Sequence, residues 1–79
     1  MLEDALEHLV RGIVEHPDDV EVEMRALRSG RVLKVRVHPD DLGKVIGRQG
    51  RTANALRTVM SAIGGRGVRV DVVNVDSVR

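Results

Sequence analysis

Two glycines three residues apart, Gly47 and Gly50, interrupt an apolar pattern of helical period and force the chain to turn between two helices. Leu42, Val45 and Ile46 form the apolar side of the helix before them; Ala53, Leu56, Val59, Met60 and Ile63 form that of the helix after, which Gly64 and Gly65 end. The turn reads Val45-Ile46-Gly47-Arg48-Gln49-Gly50-Arg51, with one cation between the glycines and another behind them. Bare glycines are expected to expose their N–H groups to a polyanion's backbone, and the start of the second helix adds a favourable dipole. The spacing alone is weak, because with 8 glycines in 79 residues roughly one chance match is expected. A second match, Gly64-Gly65-Arg66-Gly67, runs from the end of a helix into a strand pattern and reads as termination and loop. Only the first match has helix on both sides.

The remaining pattern is equally regular. Leu2, Ala5, Leu6, Leu9, Val10, Ile13 and Val14 predict one helix with an acidic opposite face, ended by Pro17. Val20, Val22 and Met24 alternate with charged residues, as do Leu33, Val35 and Val37, and the turn signal Ser29-Gly30 between them predicts a hairpin. Ala26, Leu27 and Val32 leave its register near the turn open. Pro39, Asp40 and Asp41 open the helix that precedes the glycine turn. Val68, Val70 and Val72 predict a last strand that pairs with the hairpin, followed by a short polar tail. The expected fold is an α+β sandwich of order α-β-β-α-α-β over residues 1–79, one domain, with a three-stranded sheet covered on one face by three helices.

The core of such a fold must be wholly aliphatic: 15 valines, 7 leucines and 3 isoleucines stand against no Phe, Tyr or Trp. Domains that stack bases on aromatic platforms are thereby excluded, and a nucleic acid would have to be held by backbone, cations and an aliphatic groove. Cysteine is absent, no apolar run approaches the roughly 20 residues of a membrane span, and the acidic start is wrong for a signal peptide. A soluble cytoplasmic protein is expected. The net charge of +1 conceals an asymmetry, for residues 1–24 carry eight acids against Arg11, whereas residues 25–69 carry eleven cations against Asp40 and Asp41. A basic block around the turn attracts phosphate locally whatever the total.

Other chemistry finds little support. His16-Pro17-Asp18-Asp19-Val20 and His38-Pro39-Asp40-Asp41-Leu42 are near repeats, but one links helix to strand and the other strand to helix, where proline and aspartate punctuate. No metal site and no cofactor are expected. Neither a nucleophile elbow nor a nucleotide-binding fingerprint is present, so no catalysis is expected. Two rival binding modes remain open. Arg51, Asn54 and Arg57 face outward on the helix after the turn, as a helix-turn-helix DNA reader would need; the aliphatic helix pair also suits self-association as a homodimer.

The element order, with Val45-Ile46-Gly47-Arg48-Gln49-Gly50-Arg51-Thr52 between the last two helices, resembles the type II KH domain, and the size and acidic first helix resemble the KhpA family of small bacterial RNA-binding proteins. The resemblance implies single-stranded RNA as ligand and a cytoplasmic RNA chaperone or post-transcriptional regulator. It also implies a KhpB (Jag-type) KH-containing partner, and a link to cell-wall homeostasis and cell-length control. Carried onto this sequence, Gly47, Arg48, Gln49 and Gly50 are the clamp loop, and Lys44 and Arg51 flank it as further phosphate contacts. Ile46 lines a groove floor or packs in the core, and Arg66 lies in a loop at the far rim. Whether Lys34 and Arg36 reach the ligand is left open.

Overall fold

The computed structural model describes residues 1–65 and 67–74. Helix α1 (Leu2–Arg11) buries Leu2, Leu6 and Val10, one residue every four, and stops earlier than the apolar spacing suggests. Gly12 closes it, and Ile13 and Val14 turn back to donate to the carbonyl of Val10. A one-turn 3₁₀ helix (Pro17–Asp19) leads into β1 (Glu21–Leu27), which pairs antiparallel with β2 (Gly30–Val37). The register left open by the sequence runs from Glu21 opposite Arg36 to Leu27 opposite Gly30, so only Arg28 and Ser29 lie between the strands. Another 3₁₀ turn (Pro39–Asp41) precedes α2 (Leu42–Ile46). The glycine turn follows, then α3 (Arg51–Gly64) and β3 (Val68–Asn74).

Strand β3 pairs with β2 in parallel, giving a mixed three-stranded sheet in the order β1-β2-β3. Parallel neighbours need a crossover, and the helix pair α2–α3 supplies it. All three helices lie over one face, where Leu33, Val35 and Val37 of the central strand meet Leu6, Val10, Val45, Leu56, Met60 and Val70. The α-β-β-α-α-β fold expected from the sequence is therefore present. Leu6 and Met60 are fully buried, and truncating such a side chain to alanine typically costs about 2–5 kcal/mol. Several expected core residues lie outside it, however. Met24 on the edge strand and Val59 and Ile63 on α3 are exposed at 37%, 42% and 58%, because β1 is only partly covered by α1 and only the Ala53-Leu56-Met60 line of α3 meets the sheet. At the far end of α3, Arg31 Nη2 donates to the Gly64 carbonyl at 2.7 Å and satisfies a helix-terminal acceptor.

The two near repeats, distant in sequence, meet in space. Asp41 is 1% exposed, and its carboxylate accepts the amides of Glu15 (3.1 Å) and His16 (2.9 Å) and the His16 ring Nδ1 (3.0 Å). The ring of His16 stacks on that of His38 with centroids 3.9 Å apart, and His38 Nδ1 accepts the Asp40 amide. One carboxylate thus fastens the linker after α1 to the start of α2. Burial pushes the Asp41 carboxyl up, but the Glu15 amide, the His16 ring and the His16 amide outweigh it and hold it below the usual carboxylate range.

Because the folded pKa is depressed, the stabilisation from Asp41 is complete above its ordinary value of 3.8 and is lost as pH falls through the lower folded value. Asp41→Asn is expected to be less stable than wild type at neutral pH and to lose less stability on acidification from about pH 4 to about pH 2. Urea unfolding followed across pH measures both effects. Identical acid profiles for the two proteins would contradict the role given to Asp41.

Candidate nucleic-acid interface

The turn between α2 and α3 is set by backbone conformations that ordinary side chains resist. Gly47 has φ +79° and ψ 168°, and a Cβ there would stand 2.7 Å from the Thr52 nitrogen and clash with Thr52 Oγ1. Gln49 (φ 57°, ψ 27°) and Gly50 (φ 77°, ψ 13°) both occupy the left-handed region, a rare conformation for glutamine. At Gly50 the space beside the backbone is open, with Asn54 Nδ2 the nearest neighbour at 4.0 Å. The first glycine thus permits close packing, and the second permits a left-handed turn.

Hydrogen bonding corrects one expectation. The glycine amides are turned inward: that of Gly47 donates to Gly43 O at 2.8 Å, and that of Gly50 donates to Gly47 O at 3.1 Å. Arg51 N–H in turn donates to Arg48 O. Among the described residues, no hydrogen bond takes the amides of Arg48 and Gln49, so these are the donors open to an anion. The glycines shape the loop and the residues between them supply its N–H groups. Both Arg48 and Gln49 are exposed, as is Arg51, and no ion pair among the described residues neutralises either arginine.

The flanking positions divide. Ile46 is 37% exposed beside the turn, so its side chain is not sunk in the core. Lys44 points away toward the linker after α1, with Nζ 2.6 Å from Glu15 Oε2; this hydrogen bond holds the Glu15 carboxyl below its ordinary range. A phosphate reaching Lys44 would have to displace that partner. Arg66 lies outside the described residues. Lys34 and Arg36 sit on the sheet face opposite the helices, where Arg36 faces Glu21 at 3.6 Å, so they are not part of the loop's surroundings.

On the helix side, α2 and α3 both contact β3, an edge strand of the sheet. Arg31 N–H takes Gly67 O, and the alternation of a parallel ladder then turns the carbonyl of Val70 to the free edge. Arg57 of α3 reaches that carbonyl through Nε at 3.4 Å, while its Nη1 donates to Asn54 Oδ1 at 2.8 Å. A polar track thus runs from the turn along α3 to the edge of β3. Sequence reading placed Asn54 and Arg57 on an outward helical face but could not connect them with β3, because the strand order was needed. Elsewhere, His16, His38 and Asp40 offer donor atoms within 4.8 Å of one another. The two histidine rings are stacked at 13°, and both Nδ1 atoms already hold protein hydrogen bonds. These contacts fasten the two turns to each other. Among the described residues no helix is long and apolar enough to cross a membrane.

An α-β-β-α-α-β sandwich with a glycine-delimited turn between its last two helices, facing an edge strand parallel to its neighbour, defines a type II KH domain. A family model described as "KhpA/KhpB, KH domain" matches residues 3–75, and the chain belongs to that family. It is 78% identical over 79 residues to a protein named RNA-binding protein KhpA from Streptomyces coelicolor, covering 100% of both chains. Proteins of the same name from Mycobacterium tuberculosis and Halalkalibacterium halodurans are 68% identical over 73 residues and 46% identical over 72; they cover 92% and 87% of this chain and 91% and 95% of their own. Among solved structures, the crystal structure of Era with MgGDPNP and nucleotides 1506–1542 of 16S ribosomal RNA matches with a TM-score of 0.55 and 16% identity. The match covers 92% of this chain and 29% of that one, and it concerns the fold alone.

The two glycines should respond differently to substitution. Gly47→Ala meets both positive-φ strain and the Thr52 backbone, and is expected to destabilise by about 3 kcal/mol or more. Gly50→Ala meets only the left-handed penalty of about 1–2 kcal/mol. Chemical denaturation of the two variants would show the difference, and equal losses would contradict the assigned geometry.

Proposed function

We propose that this protein binds single-stranded RNA, holding the sugar–phosphate backbone on the open amides of Arg48 and Gln49. The side chains of Arg48 and Arg51 add charge, and Ile46 offers an apolar rest for a base. The observation that carries the reading is the pair of unengaged amides at an exposed turn, flanked by arginines without acidic partners among the described residues. RNA-binding relatives that match this chain from end to end support it. Gly47 and Gly50 act as shapers of the clamp. Lys44 joins only if Glu15 releases it, and Arg66 is a candidate at the far rim on sequence grounds alone. The protein acts by binding rather than catalysis, in the cytoplasm, as a single KH domain.

Such a site grips weakly. Two or three phosphate contacts on a single strand give a salt slope of about −1.4 to −2, so fourfold more salt weakens binding roughly 7- to 16-fold. No Phe, Tyr or Trp is present to stack on bases, so a second RNA-binding module would raise occupancy through effective concentration. A KhpB-type partner would supply one, and the pair would act as RNA chaperone or post-transcriptional regulator with effects on cell-wall homeostasis and cell length. A second reading, a dimerisation module using the same helix pair, is favoured by one observation: Val59 and Ile63 stand 42% and 58% exposed on one side of α3.

Replacing Arg48 and Gln49 together by aspartate sets like charge against phosphate at the turn and is expected to weaken single-stranded RNA binding about tenfold or more. Circular dichroism would check that the fold persists, and fluorescence anisotropy at several salt concentrations would measure affinity and slope. RNA affinity equal to wild type would sink the clamp. Loss of a dimer in sedimentation, with no RNA binding by either protein, would favour the second reading.

A further inference from the structure

We propose that Arg57, oriented by Asn54 and by the carbonyl of Val70, reads a base with two adjacent acceptors, guanine or cytosine, in the strand held along the free edge of β3; this rests on the RNA-binding reading above. The arginine belongs to no ion pair among the described residues and is exposed, yet it is not loose. Its Nη1 donates to Asn54 Oδ1 at 2.8 Å, and its Nε lies 3.4 Å from Val70 O. These two contacts fix the plane of the guanidinium. Among the described residues nothing takes the other Nη1 hydrogen or the two on Nη2, so each Nη keeps a donor for a pair of acceptors. A fork held in this way loses little freedom when it meets a ligand.

Paired donors select a base edge with two acceptors side by side. Guanine places two acceptors, O6 and N7, side by side, and cytosine places O2 and N3 side by side; adenine and uracil place a donor beside each acceptor. In a single strand that edge is free to be read. A phosphate is the poorer occupant, because a full negative charge would lie against the carbonyl oxygens of Val70 and Asn54 that hold the arginine. Position also fits. Asn54 borders the clamp, its Nδ2 4.0 Å from where a Cβ on Gly50 would stand, and Arg57 follows one helical turn on. A strand whose phosphates sit at the turn would lay its bases toward this pair. Since the chain has no Phe, Tyr or Trp, hydrogen bonding is the main route left to base selection.

The test uses short uridine oligonucleotides carrying a single guanosine, adenosine or cytidine, walked through each position, with fluorescence anisotropy on the full chain. Wild type is expected to bind guanosine or cytidine in one register roughly fivefold or more tighter than the matching adenosine oligonucleotide or oligouridine. Arg57→Ala and Arg57→Lys should both abolish that preference, since lysine keeps the charge but lacks the paired donors. Asn54→Ala should reduce it. Arg48→Asp with Gln49→Asp should instead weaken all four kinds of oligonucleotide together. Equal binding of all four bases by wild type would overturn the inference. So would a guanosine or cytidine preference that survives in Arg57→Ala with its fold intact by circular dichroism, or a uniform loss across bases in that variant, the signature of a phosphate ligand. If wild type binds none of the oligonucleotides, the RNA-binding reading fails first and this one with it.

Discussion

The close approach of Gly47 to Thr52 is the contact from which the rest of the site follows. With no side chain at Gly47, the first turn of α3 packs directly against the end of α2, and the chain reverses within four residues. Hydrogen bonds from Gly47 to Gly43 and from Gly50 to Gly47 then consume the glycine amides in fixing the reversal, leaving those of the two residues between them facing outward. A looser turn would let these amides find carbonyl partners or water in many arrangements. Here their direction is set before any ligand arrives, and that preorganisation is what a small and weakly binding site needs most.

A second constraint fixes where the turn sits. Residues of the linker after α1 and of the turn before α2 are tied through Asp41, a buried carboxylate with three donors around it. Its near-neighbour copy, Asp19, closes the other 3₁₀ turn without comparable burial, so identical local sequence does different work in the two places. The stacking of His16 on His38 packs the two turns together. Helix α2, only five residues long, would be marginal alone and owes its place to this fastening and to Val45 in the core.

Charge is arranged to match. The acidic residues gather in α1, its linker and the start of β1, and they pair with cations: Glu15 takes Lys44 beside the turn, and Glu21 takes Arg36 on the far sheet face. Among the described residues, the cations at and beyond the turn on α3 carry no ion pair: Arg48 and Arg51 at the turn itself and Arg57 beside β3. A nearly neutral chain therefore presents a localised positive rim, and the pairings decide which cations belong to it. Exposed ion pairs of this kind contribute little to stability, so their main effect is to direct side chains.

Much of this was legible in the residues, and the division follows physical range. Element order, the helix–turn–helix joint and the aliphatic core were readable because periodicity, proline and glycine act over a few neighbours. The end of α1 was misjudged, since Ile13 and Val14 continue the apolar spacing while the chain turns to bring the amides of Glu15 and His16 to Asp41. The donors of the turn were assigned to the wrong residues, for a glycine's freedom is visible in sequence and the direction of its N–H is not. Lys44 resembled a phosphate ligand until the fold placed Glu15 against it. By itself the sequence determined the secondary structure, the location of the turn and the class of fold, all consequences of local conformational preference. Only the tertiary structure decided which amides stay open, which cations stay unpaired and that Arg57 meets the edge of β3, because those outcomes depend on groups far apart in the chain being brought within hydrogen-bonding distance.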